Sequence, residues 1–331
     1  MSKQQSNAIK GIAILMMLWY HLFGIAELTD LCTPLLYIGG EPVARMLARA
    51  CYPVSFFLIL SGYGLSAVYR QGRLTAGTQL RRLTKLYLHY WVILLIFVSL
   101  GHYLRPDIYI LDLPHLAANI TGFHCTYNGE TWFLLPYSII CMLAVWFMPM
   151  LFRIDNKRKA LMLIAGYAVC FVAVKMAVER IYNIFFIQVV FLITNFFYFT
   201  LGVALYRLIN HLGPRFRFLS QWQSCLLLLL LIVVKSQFKV TLADGLYAFA
   251  FISLLLQLRV NRRVSTILQH LGRHSMPMWM THTFFAVYLF QDFIYGFRYP
   301  LVIFLVLVAV SYLSAVIIQK VTSPLIKLFR L

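Results

Sequence analysis

The stretch AIKGIAILMMLWYHLFGIA, residues 8–26, is long and apolar enough to cross a membrane as one helix, because about 20 apolar residues cover roughly 30 Å of hydrocarbon. Lys10 and His21 are the two side chains in it that a membrane helix would avoid. They lie about 16 Å apart along a helix, so a cation at one membrane face would sit below an imidazole well inside the bilayer. Burying such a group is costly, and it therefore marks a candidate functional site. The alternatives are that Lys10 reaches the lipid headgroups and that His21 bonds a neighbouring helix.

The composition of the 331 residues is that of an integral membrane protein. Hydrophobic residues make up 62% and charged residues 12%, whereas about a quarter of residues are charged in soluble domains. About ten windows are apolar enough to span, with connections too short for a separate soluble domain. We therefore predict an all-α polytopic membrane protein with a single transmembrane domain over residues 1–331. The predicted spans cover residues 8–26, 52–69, a third after the stretch 81–91, about 132–151, 160–178, 183–207, 219–234, 242–258, a ninth that contains His282, and 301–319.

The net charge of +19 comes from cations that lie mainly on one side of these spans. With the N-terminus inside, most Lys and Arg residues fall in inner segments, and every acid except Asp155 falls outside. This asymmetry follows the positive-inside rule and predicts that both termini are cytoplasmic. It also accounts for the basic charge without a nucleic-acid partner, which we do not expect.

Six cysteines are present, and none has the spacing of metal ligands, so we expect no metal site. Only Cys32 and Cys125 fall in outer segments. A disulfide between them is left open, because it depends on whether that compartment is oxidising.

A basic cluster precedes the third span: Arg81, Arg82 and Lys85 follow Arg70 and Arg73 closely in the chain. Most such clusters only set topology. Guanidinium groups also bind phosphates through paired hydrogen bonds. The cluster is therefore a candidate site for a polyanionic ligand.

Polar and aromatic side chains fill the outer segment 105–131. A loop of about 26 residues without regular structure is usually either functional or disordered. Its histidines, carboxylates and aromatic rings suit a hydroxylated ligand such as a sugar. Interfacial anchoring by Tyr127 and Trp132 is the alternative explanation.

Two further features lie at membrane depth. His282 ends the stretch HLGRHSMPMWMTH and lies at a depth comparable with that of His21, which favours a shared site. Ser61, Gly62 and Gly64 in the second span permit either close helix packing or a backbone that lines a cavity.

These features together resemble the acyltransferase 3 family of membrane-bound O-acyltransferases, which includes bacterial polysaccharide and lipopolysaccharide O-acetyltransferases. The resemblance covers essentially the full length. It rests on five elements in order: Lys10 and His21 in the first span, Ser61-Gly62-Tyr63 in the second, RRLTKLYLHYW at 81–91, NGETWFL at 128–134, and LGRHSMPMWMTH ending at His282.

The resemblance implies that His21 is essential for acyl transfer, and we assign it the role of base. His282 is expected to orient or stabilise it. Basic residues on the cytoplasmic side are associated with acyl-CoA in the family, and this role would fall to Lys10, Arg81 and Arg82.

Ser61, Glu130 and Trp132 are predicted to bind substrate. The sequence departs from the family in two places that bear on the site. The first-span cation is lysine where arginine is usual, and Tyr137 and Ser138 stand a short way after Trp132, where many members have a glutamate. The carboxylate partner of His21 is therefore left open.

An acyl-CoA thioester is already activated, so its transfer to a hydroxyl needs a base, an oxyanion site and alignment of two substrates, but no protein nucleophile. We expect acyl-CoA, acetyl-CoA by resemblance, as a co-substrate with no permanently bound cofactor. The expected acceptor is a glycan or a lipid-linked sugar, and the expected location is the inner (plasma) membrane, in contact with its lipids.

Two alternative functions remain. One is a transporter or flippase for a lipid-linked saccharide, which is disfavoured by the lack of an internal repeat. The other is a membrane scaffold, which is disfavoured by the buried ionisable residues.

Overall fold

The described part of the chain folds almost entirely into helices, with one short β-hairpin in which β1 (Tyr37–Ile38) pairs antiparallel with β2 (Glu41–Pro42). The structure is a computed structural model that describes residues 1–180, 183–238 and 244–329. Its α-helices are α1 Lys3–Phe23, α2 Ala26–Thr29, α3 Val43–Ala48, α4 Pro53–Arg70, α5 Ala76–Leu104, α6 Leu113–Thr121, α7 Leu134–Phe152, α8 Lys157–Arg180, α9 Ile184–Leu212, α10 Gln221–Gln237, α11 Asp244–Leu255, α12 Arg262–Thr283, α13 Gln291–Tyr295 and α14 Pro300–Leu328. Short 3-10 turns cover Gly129–Phe133 and Gly213–Phe216, and a π-helical turn covers Phe284–Tyr288.

Six helical segments of the described chain are long and apolar enough to cross a membrane. They are Val43–Arg70, Ala76–Leu104, Gly129–Phe152, Leu161–Arg180, Ile184–Phe216 and Pro300–Leu328. The apolar helices α10 and α11 are shorter. Polar and charged residues along α1 and α12 lower their hydropathy, and these two helices are not among the six. The all-α membrane character is confirmed, while the ten spans and the cytoplasmic termini stay predictions.

The outer segment 105–131 contains a helix that the sequence did not predict. Asp112 begins α6, because its carboxylate accepts a hydrogen bond from the His115 N–H at 2.8 Å. Gly122 ends the helix in the left-handed conformation. Elsewhere, the start of the predicted span 242–258 and part of the connection before it lie outside the described residues.

Cys32 and Cys125 are free thiols, as are the other four cysteines. Each sulfur of the pair faces a carbonyl oxygen of its own segment, at 3.0 Å for Cys32 and 3.7 Å for Cys125. Burial, with the nearby Asp30 carboxylate, raises the pKa of the Cys32 thiol to about 11. Cys32 is therefore a protonated thiol near neutral pH.

The parallel helices α1 and α12 form the central pair, and they touch at two glycines. A Cβ on Gly11 would lie 2.1 Å from a carbonyl oxygen of α12, and a Cβ on Gly272 would lie 1.9 Å from a carbonyl oxygen of α1. Only glycine permits this approach, as in other small-residue crossings of membrane helices. His21 follows Gly11, and His282 follows Gly272, by the same number of residues. The crossing therefore sets the two histidines at the same height.

The helices α4 and α9 cross in the same way at Gly62 and Gly202. A Cβ on either glycine would lie 2.1 Å from a carbonyl oxygen of the other helix. Gly62 therefore serves helix packing, whereas its neighbour Ser61 lines a cavity bounded by α1, α4, α5 and α12. Close helix packing therefore applies to Gly62, and cavity lining applies to Ser61.

Candidate active site

His21 lies between two ionisable partners in the protein interior. Its Nε2 is 2.8 Å from Oε2 of Glu130, and its Nδ1 is 2.9 Å from Nε2 of His282. His282 is fully buried and His21 is 8% exposed, whereas the Glu130 side chain is 30% exposed. The two histidines that the sequence assigns to similar depths are thus in direct contact.

The partners of His282 define where the protons of this chain of groups lie. Its Nδ1 is 2.7 Å from the Trp279 carbonyl oxygen and 3.2 Å from the Met278 carbonyl oxygen. Carbonyl oxygens only accept, so Nδ1 carries the proton and Nε2 of the neutral ring accepts from Nδ1–H of His21. One further proton then lies between His21 Nε2 and Glu130. With that proton on His21, the pair is an imidazolium against a carboxylate.

Glu130 is held in place by hydrogen bonds between the segment around the turn Gly129–Phe133 and the C-terminal part of α12. The Asn128 side-chain amide donates to a backbone carbonyl of α12 at 3.0 Å. Trp279 Nε1 donates to the Glu130 carbonyl oxygen at 3.1 Å. A backbone N–H of the turn donates to the Tyr288 hydroxyl at 3.0 Å, and Tyr288 belongs to the π-helical turn, a deformation that is frequent at functional sites.

Glu130 supplies the carboxylate that the sequence left unassigned. Sequence reasoning gave it a substrate-binding role and found no acid after Trp132 to pair with His21. The 3-10 turn holds Glu130, two residues before Trp132, against His21 of α1, so no later acid is needed. The sequence feature that could have indicated this turn is Asn128, whose side chain accepts a hydrogen bond from the Glu130 N–H at 3.3 Å and begins the turn. Substrate binding by Glu130 stays a prediction.

A cavity of about 580 Å³ opens beside this site. Lys10, Arg73 and Arg82 line it, and none of its described lining residues is acidic. The remaining wall is largely apolar, with Met17 and Trp279 at the end nearest the histidines. The cavity thus combines a cationic part with an apolar part, as an anionic ligand with a long uncharged arm requires.

Arg82 is anchored in this cavity by two hydroxyl groups. It donates to Ser61 Oγ at 3.2 Å and to the Tyr137 hydroxyl. Tyr137 stands in the region where the resemblance expects a glutamate. Because a neutral hydroxyl occupies that place, the charge of Arg82 is available to an anionic ligand.

The structure places the cations predicted to bind acyl-CoA in different environments. Lys10 and Arg82 line the cavity, whereas Arg81 is exposed and does not. Consecutive residues on a helix point about 100° apart, so only one of the two arginines can face inward. Arg73, from the same basic cluster, lines the cavity as well.

Two residues form the wall between the cavity and the histidines. Met17 lines the cavity, and its carbonyl oxygen is 2.9 Å from Nδ1 of His21. Trp279 also lines it, and its carbonyl oxygen bonds His282. A ligand that fills the cavity therefore ends one layer of side chains from the histidine pair.

Trp132, predicted to bind substrate, is not among the residues that line this cavity. Its ring packs on Phe191 of α9, with the ring centroids 4.2 Å apart. A role in substrate binding stays a prediction for this residue.

Comparison with known proteins gives one match. The sequence model of the acyltransferase 3 family, described as "Acyltransferase domain", matches residues 4–320. Neither the curated proteins nor the solved structures gave a match. The matched range includes α1, the turn that carries Glu130 and α12, so it covers every residue of the site described above. The chain belongs to the acyltransferase 3 family.

Proposed function

We propose that this protein moves an acyl group, which we take to be acetyl, from cytoplasmic acyl-CoA to a hydroxyl group of a glycan or lipid-linked sugar at the inner (plasma) membrane. The observation that carries the proposal is the cavity, which is lined by Lys10, Arg73 and Arg82 and is separated from the histidine pair by Met17 and Trp279. Phosphates of acyl-CoA on these cations direct the thioester towards His21. The exposed part of Glu130 lies at the acceptor side.

The reaction begins with one proton fewer in the site, so that His21 is neutral and Glu130 is a carboxylate. Nδ1–H of His21 still donates to His282 and to the Met17 carbonyl oxygen, so the free lone pair is on Nε2. Nε2 takes the proton of an acceptor hydroxyl that enters beside the Glu130 carboxylate. The oxygen forms a bond to the acyl carbon, and the bond from that carbon to sulfur breaks. The Glu130 carboxylate offsets the charge of the imidazolium, whose Nδ1–H donates to His282. The proton finally passes to the departing thiolate, which leaves as the CoA thiol.

The donor site is tested by titrating purified protein with acetyl-CoA. We expect Arg82→Gln to raise the donor dissociation constant at least about tenfold, because a hydrogen bond to a charged group is worth roughly 1.5 to 3 kcal/mol. Arg81→Gln is the matched control, since Arg81 is exposed outside the cavity, and it should change the constant less than about twofold. Raising the salt concentration should weaken binding to the parent, because salt screens accessible charges.

Arg82 also bonds Ser61 and Tyr137, so its loss could act through the fold. Arg73→Gln is the second variant, because Arg73 is an exposed residue that lines the cavity. Equal affinities of the parent and both cavity variants would refute the donor site. A parent protein that binds no acyl-CoA would refute the proposed function and favour the transport alternative.

A further inference from the structure

Gln79 is a buried polar residue of the cavity wall to which the proposed reaction gives no role. It lies in the first turn of α5 and is only 2% exposed. Its side chain lines the cavity, and its Oε1 has no hydrogen-bond partner among the described residues. Because a buried acceptor without a donor destabilises a protein, this oxygen is suited to pair with a ligand that fills the cavity.

The position of Gln79 indicates what that ligand presents. Arg82 is three residues further along α5, so the two side chains share one face of the helix. Both line the same cavity as Arg73 and Lys10. A ligand whose phosphates lie on these cations therefore brings the next part of its structure to Gln79, and a carbonyl oxygen selects an N–H donor there.

Acyl-CoA has such a donor between its phosphates and its thioester. Its pantetheine arm is uncharged and contains two amide N–H groups. An anionic phospholipid with glycerol in its headgroup also offers phosphate and alkyl chains, but it has no amide N–H. The unpaired carbonyl oxygen therefore favours a pantetheine thioester over such a lipid in this cavity.

We propose that Gln79 accepts a hydrogen bond from an amide N–H of the pantetheine arm and so makes the cavity selective for pantetheine thioesters. This inference rests on the proposed function, because it takes acyl-CoA as the donor. The bond fixes how far the arm enters the cavity. It thereby determines where the thioester lies relative to Met17 and Trp279 at the far end.

The first test compares two ligands on purified protein in detergent: CoA, and adenosine 3′,5′-bisphosphate, which keeps phosphate groups and lacks the arm. Gln79→Leu should weaken CoA binding about tenfold, because it leaves the amide N–H of the ligand buried without an acceptor. It should change the affinity for adenosine 3′,5′-bisphosphate less than about twofold. Gln71→Leu is the matched control, since Gln71 is exposed and outside the cavity, and it should change neither affinity.

The second test changes the ligand and leaves the protein intact. Two CoA analogues each have one pantetheine amide N–H replaced by an ester oxygen. One of them should bind the parent about tenfold more weakly than CoA. Gln79→Leu should bind that analogue at least as tightly as CoA, because the analogue has no amide N–H left without an acceptor at this position. This cycle isolates the single hydrogen bond from any general effect of the substitution.

A folding defect is detected by thermal unfolding without ligand. Gln79→Leu should unfold at a temperature no lower than that of the parent, because it removes an unpaired acceptor and adds apolar contact. If the variant does not fold, the analogue titration of the parent decides alone. Parent binding of both analogues as tightly as CoA, or binding of CoA by Gln79→Leu at parent affinity, refutes the role of Gln79 and leaves the proposed function intact. If the parent binds neither CoA nor adenosine 3′,5′-bisphosphate, the proposed function fails, and this inference fails with it.

Discussion

Glu130→Gln tests whether the carboxylate beside His21 stabilises the protonated base. Gln has nearly the same shape and can still accept from Nε2–H of His21, so the substitution removes the charge and keeps the geometry. The contact replaced is the 2.8 Å approach of Glu130 Oε2 to His21 Nε2. Because the imidazolium forms only during transfer, the loss should fall on the rate constant and leave the apparent donor constant unchanged.

The magnitude follows from the strength and exposure of this contact. A hydrogen bond between charged groups is worth about 1.5 to 3 kcal/mol, and about 1.4 kcal/mol changes a rate tenfold. The full range is therefore about 10- to 150-fold. The Glu130 side chain is 30% exposed, so solvent screens part of the interaction. We expect a reduction in the lower part of that range, about 10- to 50-fold.

The assay is the initial rate at which membranes incorporate labelled acetyl groups from acetyl-CoA into their own acceptors, normalised to the amount of protein. Glu27→Gln is the control, because Glu27 is an exposed glutamate of α2, and it should keep the parent rate. A Glu130→Gln rate within twofold of the parent would show that the charge has no part in the reaction. An equal loss in the control would show that the assay responds to charge in general.

Two further predictions concern the fold. Gly272→Ala should separate α1 from α12, because its Cβ would lie 1.9 Å from a backbone carbonyl oxygen. We expect a lower unfolding temperature and loss of acetyl transfer. Gly166→Ala, in which the added Cβ has no atom within 4 Å, is the control and should be unaffected. Unchanged stability and activity of Gly272→Ala would contradict the close crossing. In a cysteine-free version of the protein, Arg215→Cys should be protected from a membrane-impermeant thiol reagent in intact cells and Asp107→Cys should react, because both side chains are exposed and the charge distribution assigns them to opposite sides. The reverse labelling would invert the predicted topology.

The sequence predicted the histidine pair because the signals for it are local. His21 and His282 lie at similar depths in their helices, and the two glycines that align them are in the same stretches. Two polar residues in hydrocarbon are costly unless they find partners. That cost favours a shared site from the amino-acid sequence alone.

Glu130 could not be assigned in the same way, because its contact with His21 depends on how the turn Gly129–Phe133 packs against α12. It is far from His21 in sequence and precedes the apolar part of its span. A linear motif with an acid after Trp132 does not include Glu130, which the 3-10 turn places beside His21. Asn128, which begins that turn, was the one local indication.

Arg81 and Arg82 show a second limit, which is the rotation of a helix about its own axis. Composition and spacing place both in a basic cluster, but which of them faces the interior depends on how α5 packs. Gln79, Arg82 and Leu86 share the inward face and line the cavity. The apolar residue Leu86 was the available clue, since it follows Arg82 at helical spacing and not Arg81.

The proposed role of His21 as the base of an acyl-CoA-dependent transfer is tested by the acetyl incorporation rate of His21→Ala. General-base catalysis typically contributes about 10²- to 10⁴-fold, so we expect a rate at least about a hundredfold below that of the parent. Membrane abundance and acetyl-CoA affinity should stay the same, because His21 does not line the donor cavity. Transfer by His21→Ala within a few-fold of the parent rate, at equal abundance, would show that His21 is not the base.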